Sequence, residues 1–129
     1  MTDIITVAQA TEVADQLVAL AEQLSDFRFK NFADLSTEDS KDLRLKVSSI
    51  RRQASDITAS IIGQKIQNLQ DNLKEIAKAI NEAEKALDQI KQTRKALDIA
   101  TAIIRLGAAI ITLNPVAILG AASDLITIS

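Results

Sequence analysis

The sequence predicts an all-α protein: a helical bundle, or an elongated coiled-coil hairpin, ending in a C-terminal apolar helical pair. Three observations lead there. Aliphatic residues recur every three or four positions along most of the chain, the spacing that lines up one face of a helix. Only 3 Gly and 1 Pro punctuate the 129 residues, too few for the turns of Greek keys or barrels. Hydrophobic residues make up 47% and charged residues 25%, which supports one folded core and argues against general disorder. The length fits a single helical domain over residues 1–129.

A first helix is predicted over residues 3–25. Val7, Ala10, Ala14, Leu17, Ala21 and Leu24 share one face, widened by Val13 and Leu20. Asp3 falls in its first turn, at the positive end of the helix dipole. Residues 26–36 read as a loop. It holds all three phenylalanines, Phe27, Phe29 and Phe32, expected to plug one end of the bundle.

Ser36-Thr37-Glu38-Asp39 marks the start of a second helix, over residues 37–62. A serine there can accept from a free first-turn amide, and acids suit the dipole. Its stripe is Leu43, Val47, Ile50, Ala54, Ile57 and Ile61, in alternating steps of four and three. The phase slips at Gly63, where either a turn or a local stutter fits.

A long helix is predicted over residues 64–113. Its seam runs through Ile62, Ile66, Leu69, Leu73, Ile76, Ile80, Ala83, Leu87, Ile90, Arg94, Leu97, Thr101 and Ile104. As one straight rod, the stretch from 62 to 104 would reach about 64 Å, twice the roughly 30 Å width of a small domain. Such a rod needs a partner along its length. Asp71 and Lys74, Glu75 and Lys78, Glu82 and Lys85, and Asp88 and Lys91 are spaced to pair across its flank. From Ile99 the chain is apolar on nearly every side, up to the turn signal Asn114-Pro115. A short helix over 115–128 then folds back. Gly107, Ala108, Ala109, Gly120, Ala121 and Ala122 are small enough to let the two backbones approach closely. Arg105 and Asp124 are expected to pair within that hairpin.

The composition also limits the chemistry. With no Cys and no His, the chain has no disulfide, thiol nucleophile, imidazole base or usual zinc set. Neither a phosphate-binding loop nor a dinucleotide fingerprint is present. Glu84 and Asp88 lie one turn apart, but in flank positions of solvated surface acids. The expectation is a non-enzymatic protein without catalytic residues, metal or cofactor. Lys41, Arg44, Arg51 and Arg52 share a face of the second helix. Asp39, Asp42 and Asp56 dilute it and no aromatic is interleaved, so it reads as a solvated face and not a nucleic-acid site. The net charge of -2 agrees. No basic, apolar leader opens the chain, so the default location is cytoplasmic.

Long heptad helices followed by an apolar helical hairpin resemble the α-helical pore-forming toxins. The resemblance covers residues 37–129 as an order of features. In that family the hairpin usually lies between two long helices, whereas here it follows them. The resemblance implies a component whose hairpin, shielded at first, enters lipid on assembly.

Two functions follow as expectations. The first is self-association, or binding of a helical partner chain, through the seam residues Ile66, Leu69, Leu73, Ile76, Ile80, Leu87, Ile90, Arg94 and Leu97. Arg94, the polar member, would help set the register. The second is membrane association through Ile103, Ile104, Leu106, Ile110, Ile111, Leu113, Val116, Ile118 and Leu119.

Overall fold

A computed structural model describes residues 2–129. Among these are five α-helices: α1 (Val7–Lys30), α2 (Thr37–Ser60), α3 (Leu69–Asp88), α4 (Thr93–Thr112) and α5 (Pro115–Ile128). A 3-10 turn, Phe32–Asp34, joins α1 to α2. Two short strands, β1 (Thr2–Ile4) and β2 (Lys65–Gln67), pair antiparallel with Asp3 opposite Ile66. The all-α class is as the sequence predicts.

Helix α1 starts later than the periodicity suggests. Thr6 accepts from the Gln9 amide at 3.1 Å while the Gln9 side chain accepts from the Thr6 amide at 3.0 Å. This reciprocal capping box satisfies two end donors at once. Asp3 therefore lies in β1, not in a first helical turn. At its other end α1 runs through Phe27 and Phe29 to Lys30, where a loop is expected from the sequence. Helix α2 begins as predicted, with Ser36 accepting from the Asp39 amide.

Gly63 is a turn and not a stutter. Its φ is +81°, in the left-handed region that glycine enters without a Cβ penalty. The amide of Gly63 donates to the Ile5 carbonyl at 2.8 Å, and the Ile5 amide donates to Gln64 at 2.9 Å. The strand pair thus clasps the N-terminus to the α2–α3 link. Asn68 is also left-handed, and buried Asn72 braces it by donating to the Asn68 carbonyl at 2.9 Å.

The predicted long helix is broken. It stops at Asp88 and resumes at Thr93, across Gln89-Ile90-Lys91-Gln92, which contains neither Gly nor Pro. The reason is tertiary. The break lets α5 pack between α3 and α4, so that each rod covers the apolar face of another. The helices pack in the cyclic order α1, α2, α4, α5, α3 and back to α1, and α4 also reaches α1 across the core. The accessible surface is 7168 Å², near the roughly 6,700 Å² expected of a compact monomer of this mass. A bundle, not an extended hairpin, is the outcome.

Helix α4 sits deepest, with Leu97, Ile99, Ala100, Ile103, Leu106 and Ile110 buried on several sides. Its Gly107 does not face α5 as the small-residue pattern suggests. A Cβ there would lie 2.5 Å from Oε1 of Gln53 on α2. The Gln53 amide donates to the Ile104 carbonyl at 2.8 Å, so glycine makes room for a polar clasp between α2 and α4. Gly120, by contrast, is exposed and would meet nothing. A similar clasp joins α1 to α3, where the Gln23 amide donates to the Glu84 carbonyl at 3.2 Å.

Candidate interaction site

The seam residues proposed from sequence as an interface are the core of the chain itself. Ile66, Leu69, Ile76, Ile80, Leu87 and Leu97 are buried, and Leu73 and Ile90 are half-buried against them. Arg94 is exposed, because the helix break turns it away from the α3 stripe. The hairpin residues divide in the same way. Ile103, Leu106, Ile110 and Ile118 are buried, and Ile104, Ile111 and Leu113 are half-buried. Val116 and Leu119 are exposed on the outer side of α5. Among the described residues, no helix is long and apolar enough to cross a membrane.

The expected charge pairing is sparse. Among the described residues, only Lys46 with Asp42 (3.0 Å) and Lys85 with Glu82 (3.8 Å) form ion pairs. Arg105 and Asp124 are both exposed and do not join. Glu84 and Asp88, one turn apart, face different hollows: Glu84 lies with Glu12 and Asp15, Asp88 with Asp26 and Lys30.

Exposed apolar side chains meet basic ones between α1 and α2. A groove of about 510 Å³ is lined by Ser25, Arg28, Phe29, Arg44, Leu45, Val47, Ser48 and Arg51. Phe29 is 67% exposed and Leu45 51%, and Phe32 on the adjoining turn is 57% exposed. Of the three phenylalanines expected to plug the bundle, only Phe27 is buried. Phe29 projects because α1 continues helically to Lys30, and Phe32 projects from the 3-10 turn beyond it. Helical spacing turns Phe27 inward and Phe29 outward.

Arg28 organises this end. Its Nε donates to the carbonyl and the hydroxyl oxygen of Ser40, at 2.9 and 3.0 Å. Held there, the guanidinium lies 5.5 Å from the Phe29 ring centre and 5.6 Å from that of Phe32, within cation–π range. Arg44 and Arg51, two helical turns apart on α2, line the groove with Phe29 and Leu45. No ion pair to either forms among the described residues. The groove therefore joins exposed apolar side chains to three arginines.

The sequence placed Arg44 and Arg51 on one face but left them without aromatics. Phe29 arrives from α1, fifteen and more positions away in the chain. The one local signal was Leu45, an aliphatic residue inside an otherwise polar helix face. A second hollow lies on the other side of α1, against α3. It is lined by Val7, Ala8, Thr11, Glu12, Asp15, Gln16, Ala19 and Glu84, encloses about 870 Å³ and opens widely to solvent.

No family model, no curated protein and no solved structure matches this chain.

Proposed function

We propose that this chain is a non-enzymatic helical interaction protein that binds an acidic protein surface through the groove between α1 and α2. The observation that carries the reading is the exposure of Phe29, Phe32 and Leu45 beside Arg28, Arg44 and Arg51. Arginine and phenylalanine are enriched in the cores of protein interfaces, and arginine recurs among the residues that dominate binding energy. Burying a Phe or Leu side chain fully is worth about 1.5–3 kcal/mol each. Arg28 is already fixed by Ser40, so little side-chain freedom remains to be lost on binding.

A protein partner is favoured over nucleic acid. Arg28 already lies over both exposed rings, which competes with base stacking. Self-association through the α3–α4 seam is less favoured, since most of those side chains are buried within the chain.

The test is fluorescence anisotropy with a synthetic helical peptide carrying a leucine face flanked by glutamates. The wild-type chain binds it, and Phe29→Ala or the pair Arg44→Glu and Arg51→Glu weakens binding at least about tenfold, or 1.4 kcal/mol. Tighter binding of a single-stranded oligonucleotide than of the peptide would overturn the protein-partner reading.

A further inference from the structure

The chain carries its own acidic surface. On the α3 side of α1, Glu12, Asp15 and Glu84 border a hollow whose floor includes the small residues Ala8 and Ala19. On the α2 side, three guanidiniums surround the projecting Phe29 and Leu45. One surface sets exposed apolar side chains among arginines, the other sets small and apolar residues among carboxylates. The charges of the two surfaces are complementary.

We propose that a second copy of this chain occupies the groove: the arginine–phenylalanine surface of one molecule seats on the acidic α1–α3 hollow of the next. This inference rests on the groove being a protein-docking site. The two surfaces use different turns and faces of α1, residues 7–19 and residues 25–29, so one molecule cannot satisfy both from within. Because different patches meet, the contact is heterologous. It closes a ring or extends a chain according to the rotation between copies. A net charge of only -2 leaves little self-repulsion to oppose it.

A charge exchange followed by sedimentation tests this. Arg44→Glu with Arg51→Glu makes both surfaces acidic; Glu12→Lys with Asp15→Lys makes both basic. All four side chains are exposed, so the folded bundle should survive, which far-ultraviolet circular dichroism checks. The wild-type chain should associate with rising concentration and dissociate as salt shortens the screening length from about 10 Å at 0.1 M to about 3 Å at 1 M. Each variant alone should stay monomeric, and an equimolar mixture of the two should associate. A wild-type monomer at every concentration, or a mixture that stays monomeric, overturns the proposal. Binding of the acidic peptide by a wild-type monomer would reject the second copy while leaving the docking groove intact. Failure of both would reject the groove as well.

Discussion

The C-terminal hairpin, α4 with α5, and the outer end of α1 with α2 use apolar residues in opposite ways. The hairpin contains the densest apolar run in the chain, and the fold buries most of α4, which packs against α2, α5 and α1; α5 packs one face on α3 and α4 and leaves Val116, Leu119 and Ile128 in solvent. The α1–α2 end is more polar in sequence, yet it leaves two phenylalanines and a leucine in solvent. Density of hydrophobic residues does not by itself decide how centrally a helix packs: α4 is buried on several sides, while α5, at least as rich in apolar residues, buries only Ile118, Ala122 and Leu125. A docking surface arises instead where a few apolar side chains fall on a face that no neighbouring helix covers.

The largest effect that would break this contrast is on stability. Ile103→Ala, at a fully buried site in α4, should cost about 2–5 kcal/mol. Phe29→Ala should cost no more than about 1 kcal/mol, the cation–π contact with Arg28 being its main loss. Urea denaturation of both variants decides it, and equal losses would mean Phe29 is structural.

An intermediate effect sharpens the difference between buried and open positions within the hairpin. Gly120→Ala should stabilise by up to about 1 kcal/mol, since alanine is the better helix former and nothing obstructs its methyl group. Gly107→Ala gains the same propensity but displaces the Gln53 carboxamide, losing a hydrogen bond worth about 1 kcal/mol, so it should be close to neutral. In a Gln53→Ala background the Gly107 substitution should become stabilising. Thermal melts of the double-mutant cycle measure that coupling.

The smallest effect concerns the exposed flank of the hairpin. Val116 is 80% exposed at the first turn of α5. Val116→Ser should change stability by less than about 0.5 kcal/mol, as surface substitutions do. A larger loss in the same urea titration would show that α5 buries more than its outer face suggests.

Much of the fold was legible because its signals are local. The stripes on α1 and α2, the Ser36 start and the Asn114-Pro115 corner depend on neighbours in sequence, whereas at Gly63 the sequence left a turn and a stutter both open. Asn114 caps α5 by accepting from the amides of Val116 and Ala117, and Pro115 fills the first helical position, where it needs no donor. The break at 89–92 was not legible, since the aliphatic seam continues through it unchanged. The candidate site was legible only in pieces: Arg44, Leu45 and Arg51 share one helix, while Arg28 and Phe29 come from another.

The sequence by itself determined that this chain is helical and where α2 and α5 begin, because capping, propensity and periodicity act within a few residues. Only the tertiary structure decided that the long seam folds into a core and that Phe29 meets arginines. Those outcomes depend on which helices cover one another, and burial rewards whole-molecule packing, whatever the distance along the chain.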